Sequence, residues 1–452
     1  MASDPSSPPG TGPDAAPSLN REILHLAVPA LGALVAEPLF LILDAAMIGH
    51  LGATPLAGLG IASAVLQTIV GLMVFLAYST TPAVARRFGA GEPGDAVSVG
   101  IDGMWFALGL GAVLAIIGAV STPWIVAMFG PSGAVGAQAH TYLMISMWGL
   151  PAMLIVFAAT GLLRGMQDTV TPLWIAGLGF GANALLNWLF IYGLGWGIAG
   201  SAFGTVTAQW GMVAAYVVVI RRLALRHGAS MKAQRAGLRG TARSGWWLFL
   251  RTISLRAALL ITVGVATGIG TQELAGWQIV FTIFSTAAFA LDALAIAAQA
   301  LIGKSLGADD LAQVHRVLRR TTAWGMWFGV LVGAAIAALS GLLGIVFTGD
   351  ADIAALVQPA FLVLAVAQPV AGVVFVLDGV LMGANDTRYL ALAGLVNLVP
   401  FLPALWIISL TGVDGMLGLL WLAVAFFGVY MLARLATLGW RVRTDRWTMV
   451  AA

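Results

Sequence analysis

Asp44 stands near the far end of a long apolar run, in the segment LILDAAMIGH from Leu41 to His50. An ionised carboxylate in hydrocarbon costs several kcal/mol, so it should be absent, paired or useful. It lies six residues before His50, about 9 Å from the end of its helix at 1.5 Å per residue. Three polar residues return to a similar depth: Asn183 and Asn187, one helical turn apart, and Thr205 on the following apolar segment. One acid ringed by amides and a hydroxyl suits the gain and loss of a proton. Burial favours the neutral carboxyl, amide donors favour the carboxylate, and their balance sets the switch. The same group read statically is a helix clamp through Asn187.

Further polar residues interrupt apolar segments. Glu37 lies seven residues before Asp44, on nearly the same helical face, and precedes Pro38, which frees the Leu34 carbonyl and predicts a kink. A kink between two acids either follows protonation or is a fixed bend. In the second half, Asp292 in FALDALAIAAQALIGK, Gln299 on the same helix and Asp378 in VFVLDGVLMG fall towards the cytoplasmic side. Arg251 and the deeper Arg256 are placed to neutralise either acid, as a structural clamp or as part of a binding site. Trp246, Trp247 and Trp447 read as anchors at the lipid interface.

The elements that position these residues are membrane helices. Hydrophobic residues make up 60% of 452, charged residues 9%, and the mean hydropathy is +0.96. A soluble domain carries roughly 25% charged residues. Twelve apolar windows, from about 23–49 to 414–438, predict an all-α polytopic protein and not a barrel of short alternating strands. Arg and Lys fall in the even-numbered connections and the C-terminal stretch: Arg86, Arg87, Arg164, seven basic residues over 221–243, Lys304, Arg316, Arg319, Arg320, Arg388 and Arg441. The odd-numbered connections carry Glu273, Asp350, Asp352 and Asp414 and no base. The positive-inside rule then places both termini in the cytoplasm.

The chain also repeats. GLLRGMQDT (161–169) returns as GVLMGANDT (379–387), GATPLAG (52–58) as GTQELAG (270–276), and Gly89-Ala90 as Gly307-Ala308, all at an offset of 218. The expected organisation is a disordered tail over 1–20, a six-helix lobe over 21–220, a basic cytoplasmic linker over 221–245, a second lobe over 246–438 and a cytoplasmic tail over 439–452. An even helix count relates the lobes by an axis along the membrane normal, with a cavity between them suited to alternating access.

No GxxxxGK[ST] loop, HExxH pair or Cys is present, so ATP-driven transport, zinc hydrolysis and thiol chemistry have no residues to carry them. The sequence offers no enzyme, cofactor or metal site and no nucleic-acid partner. Transport would run on an H+ gradient, with Na+ as the other option.

These motifs resemble the multidrug and toxic compound extrusion (MATE) family, through D…IGHLGATPLAGLG and the two repeated hairpins. LRTISLR and LDALAIAAQALIGKSLGA are similar to its DNA-damage-inducible F (DinF) branch. The resemblance implies a V-shaped pair of six-helix bundles that exports organic compounds in exchange for H+ or Na+. It gives Asp44 the role of the helix-1 cation-coupling aspartate, with Asn183, Asn187 and Thr205 lining the same pocket. It also likens Asp378 to an acid used in the C-terminal lobe of the sodium-linked branch. Asn187 stands where several relatives carry a second Asp, which argues for H+, and Glu37 is outside the general pattern. The resulting expectation is a proton-coupled exporter of hydrophobic, often cationic compounds in a bacterial plasma membrane. A lipid-linked precursor flippase of the same superfamily and a non-transporting receptor are the competing readings.

Overall fold

The computed structural model of the protein describes residues 18–449, apart from the side chain of Glu37. Residues 1–17 of the expected tail, residues 450–452 and the Glu37 carboxyl lie outside the described residues. Among the described residues, twelve helices are long and apolar enough to cross a membrane. They are α1 (Leu19–Gly49), α2 (Ala53–Gly89), α3 (Pro93–Met128), α4 (Gly133–Gly165), α5 (Val170–Gly193), α6 (Gly197–His227), α7 (Arg235–Ile269), α8 (Thr271–Gly307), α9 (Leu311–Phe347), α10 (Ala351–Gly383), α11 (Thr387–Thr411) and α12 (Gly415–Arg443). No strand occurs among the described residues. Outward-facing Ile116, Val120, Trp124, Leu342 and Ile345 are exposed, as hydrocarbon contact requires of a spanning helix.

The repeat is visible in the helix register. The helices beginning at Thr271, Leu311, Ala351 and Gly415 start 218 residues after those beginning at Ala53, Pro93, Gly133 and Gly197. The hairpin turns match too: Gln167 and Asn385 both take a left-handed conformation, with φ of 66° and 59°. The two halves cross where α2 meets α8. A Cβ added to Gly89 would collide with the Lys304 carbonyl, and one added to Gly307 with the Arg86 carbonyl. Each contact is the other displaced by one repeat, as a pseudo-two-fold axis demands.

The lobes join at the end that carries the basic connections. The hydrogen bonds linking them, among the described residues, are Tyr78–Asp292, Gln299–Tyr78, Gln167–Ala300 and Asn20–Arg320. The opposite end of the N-terminal lobe packs on a core of its own, built from Ile48, Leu59, Leu143, Met147, Ile191 and Ile198, with no residue of the other lobe. The V therefore opens away from the basic end.

Two local features differ from the sequence expectation. Helix continues well into the basic linker, so that only 228–234 separates α6 from α7. Arg, Leu and Ala favour helix whether or not lipid surrounds them. Gly228, with φ 67°, ends α6 in the left-handed turn that glycine adopts without strain. The buried Asp102 carboxylate of α3 then accepts from the Gln234 N–H at 2.7 Å at the start of α7. Trp447 is not an interface anchor: it is fully buried and donates to the Val442 carbonyl. Trp246 is exposed, as an anchor should be. α1 runs unbroken through Pro29 and Pro38.

Candidate functional site

Asp44 is 4% exposed at the convergence of four helices of the N-terminal lobe. Its Oδ1 accepts from Ser201 Oγ on α6 at 2.6 Å and from Asn187 Nδ2 on α5 at 2.8 Å. Its Oδ2 accepts from the hydroxyl of Tyr142 on α4 at 3.3 Å. Asn187 Nδ2 also lies 3.4 Å from Ser201 Oγ, which ties the donors together. No Arg, Lys or His forms an ion pair with Asp44 among the described residues.

The backbone permits this approach through glycine. A Cβ at Gly204 would press on Asn187 and stand 3.0 Å from its backbone nitrogen, and one at Gly200 would stand 2.7 Å from the carbonyl carbon of Phe190. α6 therefore crosses α5 closely enough for Ser201 and Asn187 to share one carboxylate oxygen. A π turn over Leu189–Gly193 begins two residues after Asn187, a feature frequent beside functional residues.

Asn183 and Thr205 are placed one turn farther in. They sit on the same helical faces as Asn187 and Ser201, about 6 Å along their helices at 1.5 Å per residue. Neither bonds Asp44: among the described residues, Asn183 Oδ1 and Thr205 Oγ1 are buried without a hydrogen-bond partner, as is Asn187 Oδ1. The set thus offers a hydrogen-bonded carboxyl with unpaired oxygen acceptors beneath it, an arrangement able to hold a proton and to receive N–H or O–H donors.

Tyr142 and Ser201 are the residues that sequence reasoning missed. Ser201 lies one turn before Thr205 and was legible from that spacing. Tyr142 is one of six tyrosines and follows His140 and Thr141, and only the packing of α4 against α2 and α6 brings it to Asp44.

The second-lobe candidates divide into two groups. Asp378 on α10 is held between Arg251 on α7, through a bidentate pair, and Arg434 on α12 at 2.6 Å. Arg434 also lies over the Phe375 ring. Arg251 thus neutralises Asp378, and Arg434 was not anticipated. Among the described residues Asp292 forms no ion pair; it accepts from the Tyr78 hydroxyl across the seam at 3.0 Å. Gln299 donates to the Tyr78 carbonyl at 2.8 Å. Arg256 is exposed and lies against Gly71 of α2. No cluster of three or more His, Cys, Asp or Glu able to hold a metal occurs among the described residues.

The family model MatE matches residues 29–189 and 248–406, one match in each lobe. The chain belongs to the MatE family. The Arabidopsis thaliana protein DETOXIFICATION 44, chloroplastic, is 28% identical over 446 residues, covering 96% of this chain and 84% of the relative. The DNA damage-inducible protein F of Escherichia coli K12 is 29% identical over 384 residues, covering 81% of each. Among solved structures, the bent form of the Vibrio cholerae MATE transporter VcmN superposes with a TM-score of 0.86 at 18% identity, over 95% of this chain and 98% of that one. A MOP superfamily transporter from Pyrococcus furiosus superposes with a TM-score of 0.82 at 21% identity, over 94% and 96%. This MatE protein is therefore a multi-pass membrane transporter and not an enzyme, and its family needs no cofactor.

Proposed function

We propose that this MatE protein is a proton-coupled antiporter that exports hydrophobic, often cationic compounds, with Asp44 as the coupling group. One observation carries the reading: among the described residues, the buried Asp44 carboxylate is satisfied by three neutral donors and by no cation. Three donors occupy three of the carboxylate's roughly four acceptor positions, which leaves one for a proton. Asn187, where several relatives carry a second Asp, leaves the pocket one negative charge short of a strong cation site.

In the proposed cycle the ionised Asp44 favours a cationic substrate. Protonation from the open side removes that charge and releases the cargo, and deprotonation towards the cytoplasm restores it. Asn183, Asn187 and Thr205 tune the competition by supplying donors and acceptors around the carboxyl. The basic end faces the cytoplasm of a bacterial inner membrane, so the V opens outward. The lobes rock about the seam to alternate access.

Two geometric points support drug export over lipid-linked precursor transport. Arg251 is committed to Asp378, and Arg256 alone of the candidate cations is exposed. A pyrophosphate headgroup calls for several free cations at the cavity wall. Efflux of a fluorescent cation from liposomes, under a pH gradient and then a Na+ gradient, tests the reading. Wild-type flux should follow the pH gradient and be lost in Asp44→Asn. Undiminished flux in that variant, or flux driven by Na+ alone, overturns it.

A further inference from the structure

Tyr78 is held twice by the opposite lobe. Pro82, one turn after it in α2, has no N–H, so the Tyr78 carbonyl loses its helical partner. Gln299 of α8, itself 1% exposed, supplies the missing donor at 2.8 Å. The Tyr78 hydroxyl donates in turn to Asp292 Oδ2 at 3.0 Å. Asp292 and Gln299 are seven residues apart, two turns of α8, and so face the same way. One residue of the first lobe is therefore gripped by main chain and side chain from two points of the second.

We propose that this double grip is the latch of the basic-end gate and sets the ratio of the two lobe arrangements. The inference rests on the alternating-access reading above and adds the residues that resist opening. The supporting contacts lie on the same seam. Gln167 donates to the Ala300 carbonyl at 3.1 Å, and Gly303 packs its backbone on Ala85 and Pro82. When the lobes part at this end, the Tyr78 carbonyl and the Asp292 carboxyl lose these protein partners. Until water enters, both are unsatisfied polar groups in an apolar surrounding. That asymmetry favours the joined state. The pseudo-two-fold mate of Tyr78 is Ile296 and that of Gln299 is Thr81, so the repeat supplies no second copy of the grip. The latch is a departure from symmetry at the point where the symmetric helices cross.

The absence of cysteine permits a direct test. Ala90 and Ala308 are exposed repeat mates, one per lobe, at the basic end; Ala53 and Thr271 are exposed mates at the other end. Cysteine pairs at these positions carry nitroxide labels in nanodiscs, and distance distributions give the populations. Tyr78→Phe, which keeps the ring and removes the hydroxyl, should raise the ratio of long to short Ala90–Ala308 distances about tenfold. Gln299→Leu should act in the same direction. The Ala53–Thr271 pair should shorten as the other lengthens. Tyr78→Phe combined with Asp292→Ala should exceed the larger single effect by less than the two effects added. An unchanged ratio in both single variants, or lengthening at both ends together, overturns the latch. If neither label pair samples a second distance in any variant, with or without substrate, the rocking reading itself fails and the latch with it.

Discussion

Ser201 Oγ donates to Asp44 Oδ1 at 2.6 Å, from a residue 157 positions along the chain. Thr205, one turn farther on α6, has a buried hydroxyl with no hydrogen-bond partner among the described residues. Two hydroxyls on one helical face therefore have different tasks. Ser201→Ala should reduce pH-driven flux about tenfold, the effect of losing one hydrogen bond to a charged group. Thr205→Val should reduce it only about two- to threefold, since it removes no bond to the carboxylate. Initial efflux rates from liposomes at one fixed pH gradient check the order. Equal losses in the two variants would place Ser201 outside the coupling set.

The Asp378 cluster makes a stability prediction. Asp378→Asn leaves Arg251 and Arg434 buried side by side without their counter-charge, a loss of about 3–5 kcal/mol. Arg434→Met should be milder, because Arg251 still neutralises the acid. Thermal unfolding of the detergent-solubilised protein should show the larger drop in Tm for Asp378→Asn. Residual flux per folded molecule should still follow the pH gradient in both variants. Loss of that dependence with unchanged stability would instead make Asp378 a coupling group.

Gly89 and Gly307 occupy equivalent places where α2 and α8 cross, each against the other helix's carbonyls. Replacing either by Val inserts carbon where the opposing backbone lies, an overpacking of about 1–3 kcal/mol in the joined state. Each variant should therefore populate the basic-end-open arrangement more, and to a similar degree, in thiol accessibility of a cysteine at Ala300. A response in one variant only would break the equivalence.

Asp102 holds the start of α7 through the Gln234 N–H, and Trp105 donates to the Met231 carbonyl beside it at 3.0 Å. Asp102→Ala should loosen this strap by about 1 kcal/mol, as loss of a helix cap does. Amide exchange over residues 231–238 should accelerate several-fold while exchange in α3 stays unchanged. Faster exchange throughout α3 would show that Asp102 supports its own helix instead.

The helix count and the repeat were legible in the sequence because both follow from one-dimensional patterns. A span needs some twenty apolar residues in a row, and duplication leaves a constant offset. Asp44 was legible for a related reason: an acid in hydrocarbon is conspicuous wherever the fold places it. Its neighbours were only half legible. Depth along α5 and α6 predicts that four polar residues reach one level, yet it does not decide which turn of α6 stands level with the carboxylate. The close crossing allowed by Gly200 and Gly204 decided that, and brought Ser201 to the carboxylate instead of Thr205.

Pairing between lobes lay further out of reach. Arg434 and Asp378 are 56 residues apart, Tyr78 and Asp292 are 214, and no local pattern links either pair. The sequence by itself determined a twelve-helix, twice-repeated membrane chain with Asp44 foremost among a few acids inside apolar spans, because hydrophobic length and periodicity act locally. Only the tertiary structure decided which hydroxyls satisfy that acid, which arginines silence the second one, and which end of the V is shut. Those outcomes depend on helix rotation and crossing, which side-chain packing sets after the helices exist.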